Sequence, residues 1–162
     1  MIDRGENLRL TTMSRYGARA VFDIAYHSLG LPIQIKDICK RQKIPQRYLE
    51  QIFMRLKQAD IVGSIRGPKG GYVLKKDPDK ITVGDILKAV KNNTYPVFCG
   101  DPDNENSREC SRSAQCVTRL IWKEAGEKIT QFFSSVTIRS LCERAVRLGV
   151  RKDMKHSFDY II

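Results

Sequence analysis

The chain has 162 residues, 41% hydrophobic and 29% charged, an ordinary composition for a folded domain that can bury one core or one small domain plus an appendage. No run of about 18 apolar residues occurs, and the opening Met1-Ile2-Asp3-Arg4-Gly5-Glu6-Asn7 lacks the apolar centre of a signal peptide, so a cytoplasmic protein without a membrane segment is expected. The net charge of +11 is uneven, with sixteen Lys/Arg against eight Asp/Glu in residues 1–80 and thirteen against ten beyond. This excess suits a phosphate backbone better than a lipid surface, because no basic stretch carries a continuous apolar face.

Residues 1–7 read as a disordered leader. Ser14 is the expected cap of a first helix whose apolar face is Ala18, Val21, Phe22 and Ala25 and whose end is signalled by Gly30 and Pro32. Arg9, Arg15 and Arg19, near its start, are candidates for touching phosphate. From Ile33 to Gln42, Ile35, Ile38 and Cys39 share one face, as a supporting helix would arrange them. After a turn at Gln42-Lys43-Ile44, Pro45 suits a first helical turn because its missing N–H would be unpaired there anyway. From Pro45 to Asp60, Leu49, Ile52, Phe53 and Leu56 recur at helical spacing, leaving Gln46, Arg47, Glu50 and Gln51 on other faces.

Ile61 to Ile65 and Tyr72 to Leu74 are two β-prone runs around Arg66-Gly67-Pro68-Lys69-Gly70-Gly71, a hairpin with cations at its tip. A helix followed by a basic hairpin is the layout of a winged helix-turn-helix, in which the helix enters the major groove and the wing lies near the minor groove. Gln46 and Gln51 can pair with adenine, Glu50 can accept from the cytosine amino group, and Arg47 can reach guanine or phosphate. Arg66 and Lys69 supply charge at the wing. The alternative for these residues is a solvated helix face beside an ordinary hairpin.

Thr82 is the expected cap of a further helix burying Ile86, Leu87 and Val90, which closes a DNA-binding domain over residues 8–91. Residues 92–116 form a polar loop too long to lack an organising principle. Residues 117–147 hold a long helix and a shorter C-terminal one. The first carries Leu120, Ile121, Trp122, Ala125, Ile129, Phe132, Phe133 and Val136, a band broader than one neighbour needs, and is expected to pair two chains. Residues 148–162 read as a tail. The expected fold is thus mainly α with a small β-hairpin wing, a winged helix-turn-helix plus a long dimerisation helix.

Cys39 and Cys142 fall on apolar helix faces, where cysteine behaves as a small hydrophobe. Cys99, Cys110 and Cys116 lie in the polar loop, where clustered thiols of a reducing compartment bind zinc or an iron–sulfur cluster, act as redox sensors, or are incidental. His27 and His156 assemble with no acid, base or nucleophile, so no enzyme and no small-molecule substrate is expected.

Leu8-Arg-Leu-Thr-Thr-Met-Ser-Arg-Tyr-Gly-Ala18, Tyr48-Leu-Glu-Gln-Ile-Phe53, Arg55-Leu-Lys57, Ser64-Ile-Arg-Gly-Pro-Lys-Gly-Gly-Tyr-Val-Leu74 and Ile81-Thr-Val-Gly-Asp-Ile86 resemble the IscR/NsrR/CymR superfamily of bacterial transcription regulators. The resemblance runs from about Leu8 to Val146. It implies a homodimer on a double-stranded DNA operator, with Tyr48 inside the recognition motif, Arg47, Glu50 and Gln51 at the major groove, and Arg66 at the minor groove. In some branches a three-cysteine loop holds an iron–sulfur cluster, 2Fe–2S or 4Fe–4S, that modulates DNA affinity, and Cys99, Cys110 and Cys116 match its location. The chain departs from this pattern in a longer gap between the first two cysteines. It also has Arg119 and Arg15 at the positions where relatives supply a fourth ligand. The alternative within the superfamily is a cluster-free regulator of the CymR kind, answering to a protein partner or to thiol oxidation.

Overall fold

A computed structural model describes residues 10–90, 94–104 and 115–153. The leader, Arg9, Cys110 and His156 lie outside these residues. The first helix, α1 (Thr12–His27), is capped by Thr11, whose hydroxyl accepts from the Ser14 amide at 3.2 Å. The expected cap, Ser14, instead sits one turn inside and is buried. Local preference cannot separate two hydroxyl residues three positions apart; the earlier start brings Met13 into the helix, packed against the core.

The buried face of α1 is Gly17, Ala20, Val21 and Ile24, while Ala18, Phe22 and Ala25 of the expected face are half-buried. The band is turned because α1 packs against α2 (Ile35–Gln42), α3 (Gln46–Gln58), α4 (Val83–Ala89) and α6 (Ile138–Arg147) at once. Gly17 lets Ile86 and Val90 come close, since a Cβ there would stand 3.2 Å from the Ile86 methyl.

Leu49, Ile52, Phe53 and Leu56 of α3 have no exposed surface, matching their helical spacing. Two antiparallel strands follow, β1 (Val62–Ile65) and β2 (Gly71–Leu74), with Val62 opposite Leu74 and Ile65 opposite Gly71. Ile33 and Tyr72 exchange backbone hydrogen bonds of 2.9 and 2.8 Å, so the segment before α2 lies alongside the hairpin. A side chain at Gly71 would overlap the Ile33 carbonyl.

Thr82 and Asp85 form a capping box at the start of α4. Around it the Val83 amide donates to the Val136 carbonyl at 2.9 Å and the Ile138 amide to Ile81 at 2.8 Å. Ile138 of α6 therefore enters the same core as α1 and α3, with no exposed surface. The 19-residue α5 (Val117–Ser135) packs on α4 and on the short turn Phe98–Gly100, and much of it stays open. Among the described residues no helix is long and apolar enough to cross a membrane.

His27, at the end of α1, is 8% exposed and accepts the Asp153 amide through Nδ1 at 2.9 Å. Burial pushes its imidazole below the ordinary 6.5, Arg41 and Lys152 push the same way, and Asp23 and Asp153 oppose them. As pH falls the unfolded chain takes up the proton first, so this contribution is complete above about 6.5 and is lost below it. Denaturant unfolding from pH 8 to 5.5 is expected to show that decline. It should be shallower in His27→Gln, whose amide oxygen still accepts from Asp153; parallel curves would count against it.

Candidate nucleic-acid interface and cysteine loop

The α3 residues left over after core packing form one exposed surface: Gln46, Arg47, Glu50 and Gln51 are all open to solvent. Their presentation depends on the turn before α3, where Lys43 takes a left-handed φ of 52° and Ile44 is buried. Gln46 and Glu50 are not independent, because the Gln46 amide nitrogen donates to a Glu50 carboxylate oxygen at 2.9 Å. One Glu50 oxygen is thus engaged along the helix while the carboxylate still offers acceptors outward. The two are expected from the sequence to read bases separately, and their spacing of four, about one helical turn, is the signal for the pairing.

Tyr48 differs from its neighbours. It is half-buried, its ring packed edge-on against Tyr16 with centroids 5.6 Å apart, and the Arg19 guanidinium lies over the Tyr16 ring at 5.5 Å from its centroid. Arg15 is exposed and its guanidinium donates to the Thr12 hydroxyl at 3.4 Å. Arg19 is tied to Gln42, donating to its side-chain oxygen at 3.1 Å and to its carbonyl.

At the wing, Arg66, Gly67, Pro68 and Lys69 are exposed. Gly67 has φ of 116° and its carbonyl accepts from Gly70 at 2.9 Å, while a side chain at Gly70 would overlap the Ile65 carbonyl. Two glycines therefore close this turn where other residues would be strained. Gln34 reaches the Pro68 carbonyl at 3.4 Å, and Lys57 of α3 donates to Ser64 of β1 at 2.9 Å. Helix and wing are also joined underneath, where Phe53 and Tyr72 stack with centroids 4.0 Å apart.

The described residues of the cysteine loop pack on α5. Tyr95 lies across Gly126, where any side chain would overlap its ring, and the Thr94 and Thr130 hydroxyls meet at 2.7 Å. Gly100 packs on the backbone of Trp122 and Lys123. Arg119, in the first turn of α5, donates to the Cys99 carbonyl at 2.7 Å. Cys116 is the N-cap of α5, with its sulfur 3.2 Å from the Thr118 hydroxyl. Cys99 and Cys116 are thus both half-buried beside the same helix start. Among the described residues no three His, Cys, Asp or Glu side chains converge on one point. Two soft donors flanking a segment that carries a third thiol, Cys110, fit the thiolate set of an iron–sulfur group. Asp101 accepts from the Asp103 amide at 2.9 Å.

A family described as "Rrf2: Iron-dependent Transcriptional regulator" matches residues 10–144. The chain belongs to the Rrf2 family. The HTH-type transcriptional regulator IscR of Citrobacter koseri is 34% identical over 152 residues, 94% of this chain and 90% of its own. That of Yersinia pestis is 37% identical over 134 residues, 83% and 79% of the two chains. Among solved structures, T. potens IscR is similar with a TM-score of 0.71 at 28% identity, covering 92% of this chain and 96% of that one. CymR, the global cysteine regulator of B. subtilis, is similar with a TM-score of 0.67 at 29% identity, covering 85% and 98%. These similarities bear out the resemblance read from the motifs and the winged, mainly α fold. This Rrf2 chain is a DNA-binding transcription regulator and not an enzyme.

Proposed function

We propose that this Rrf2 protein is a homodimeric, sequence-specific operator-binding regulator. In this reading Gln46, Arg47, Glu50 and Gln51 read the major groove, and Arg66 and Lys69 carry the wing to the backbone or minor groove. Arg9 and Arg15 add phosphate contacts, and Tyr48 braces the helix. The observation that carries it is the exposed polar face of α3 beside a cationic glycine turn, both fastened to one core through Phe53 and Tyr72. Dimerisation is supported by α5, where Val117, Leu120, Ile121 and Phe132 are 74, 67, 59 and 59% exposed.

The proposal extends to the loop. Cys99, Cys110 and Cys116 hold an iron–sulfur cluster, which when bound supplies a redox- and ligand-responsive centre that alters operator affinity. Asp101, Asp103, Glu105, Glu109 or a residue of the second chain is the fourth donor. A cluster-free regulator of the CymR kind is the second reading. One observation favours it: Arg119, whose guanidinium donates to the Cys99 carbonyl, is a cation and no metal ligand.

Operator binding and anaerobic iron content test the two parts separately. Glu50→Ala is expected to relax discrimination at one base pair by roughly 1–3 kcal/mol, and Arg66→Ala to weaken binding to all sequences with a salt slope reduced by about 1. Equal operator affinity in both variants and the wild type would defeat the DNA assignment. Single Cys→Ser changes at 99, 110 and 116 should each lower iron content and visible absorbance; full iron in Cys110→Ser promotes the cluster-free reading.

A further inference from the structure

The chain beyond α6 turns back along α1 toward the helix-turn-helix. Gly149, at φ of 69°, closes α6 by donating to Val146 at 3.0 Å, and Val150 donates to Ala145 at 3.0 Å. The Val150 carbonyl then accepts from the Tyr26 hydroxyl at 2.7 Å, and the Lys152 ammonium sits 5.2 Å from the Tyr26 ring centroid. The Asp153 amide reaches His27, and its carboxylate accepts from Arg41 Nη1 at 3.2 Å.

The remaining donors of Arg41 go to Asp23 of α1. Nε and Nη2 contact that carboxylate at 2.6 to 3.2 Å, and the Asp23 side chain has no exposed surface. Gln42 donates to the same carboxylate at 2.8 Å and is itself held by Arg19. The side-chain bonds of Asp23 and the Asp153 carboxylate bond therefore meet on Arg41 and Gln42, the last two residues of α2, immediately before the left-handed Lys43 and the turn that launches α3.

We propose that residues 150–153 are a strap of the DNA-binding unit, and that Asp153 is a positioning residue which shares Arg41 with Asp23 and so sets the turn presenting the recognition helix. The inference rests on the operator-binding reading above. A guanidinium has a planar fork of fixed geometry, so engaging it from both sides leaves the end of α2 no freedom to swivel. Base readout tolerates little angular error in the supporting element. The strap also joins the end of α6 to the turn before α3 without passing through the wing.

The sign of the effect separates this from simple electrostatics. Deleting an acidic residue from a DNA-binding protein raises affinity when charge alone matters. Positioning requires the opposite: Asp153→Ala in the full chain should weaken binding to an operator selected from random duplexes by roughly three- to fivefold, the scale of a partly exposed ion pair. The salt slope should stay unchanged because no phosphate contact is lost. Asp153→Glu should recover much of the loss. In an Arg41→Gln background, Asp153→Ala should have no further effect, since the path runs through Arg41. In the absence of DNA, hydrogen exchange at the Ile44 amide, bonded to Cys39 at 3.2 Å, should quicken in Asp153→Ala while the α4 amides stay as they were. Unchanged or raised affinity in Asp153→Ala, or full additivity with Arg41→Gln, overturns the inference while the operator reading stands. Wild-type protein that selects no operator overturns both.

Discussion

Replacing Phe53 with Ala is expected to destabilise the protein by about 3–5 kcal/mol, the range for removing a large aromatic from a packed core. Phe53 has no exposed surface and its ring lies nearly parallel to Tyr72, at an interplanar angle of 16°. Tyr72 is in turn held by Ile33 through two backbone hydrogen bonds. The cavity would open where the recognition helix, the wing and the segment before α2 meet, and none of the three can close it alone. Phe53→Leu, which keeps most of the volume, should lose less than about 1.5 kcal/mol. Denaturant titration followed by circular dichroism measures both. A loss under about 1 kcal/mol for the alanine variant would mean that the wing and α3 are not packed as described.

Leu120→Asp is expected to convert the proposed dimer into folded monomers and to remove most operator affinity. Leu120 is 67% exposed in the single chain, so the substitution leaves the protomer core untouched, while in a two-fold helix pair it would bury two unpaired charges near one another. Ile129 is a poorer choice, because it is half-buried within the protomer and its loss would mix folding with assembly. Sedimentation and thermal melting together decide. A variant that stays dimeric at wild-type affinity would place the pairing surface elsewhere.

Much of the DNA-facing half was legible from residue order because its determinants are local. The spacing of Leu49, Ile52, Phe53 and Leu56 defines the buried side of α3, and by subtraction the exposed side with Gln46, Arg47, Glu50 and Gln51. Gly67 and Gly70 mark the wing turn by backbone chemistry alone. Thr82 followed by Asp85 is a cap within one helical turn. The cysteine loop was legible only as a composition, because a thiol's neighbours depend on how the loop lies on α5, and nothing local says that Gly126 leaves room for Tyr95 or that Arg119 holds Cys99.

The amino-acid order by itself determined the helix pattern, the glycine wing turn, the cationic bias and the family. Only the tertiary structure decided the fate of the long polar side chains. Arg41 lies off the apolar face that Ile35, Ile38 and Cys39 define, and it is fixed between Asp23, 18 positions before it, and Asp153, 112 positions after it. Tyr26 finds its acceptor 124 positions away, in a segment that reads as an uninformative tail. Periodicity reports which face of an element is apolar, and turn residues report where the chain reverses. Neither carries information on which distant carboxylate a guanidinium meets, because that pairing exists only once the elements between them have packed.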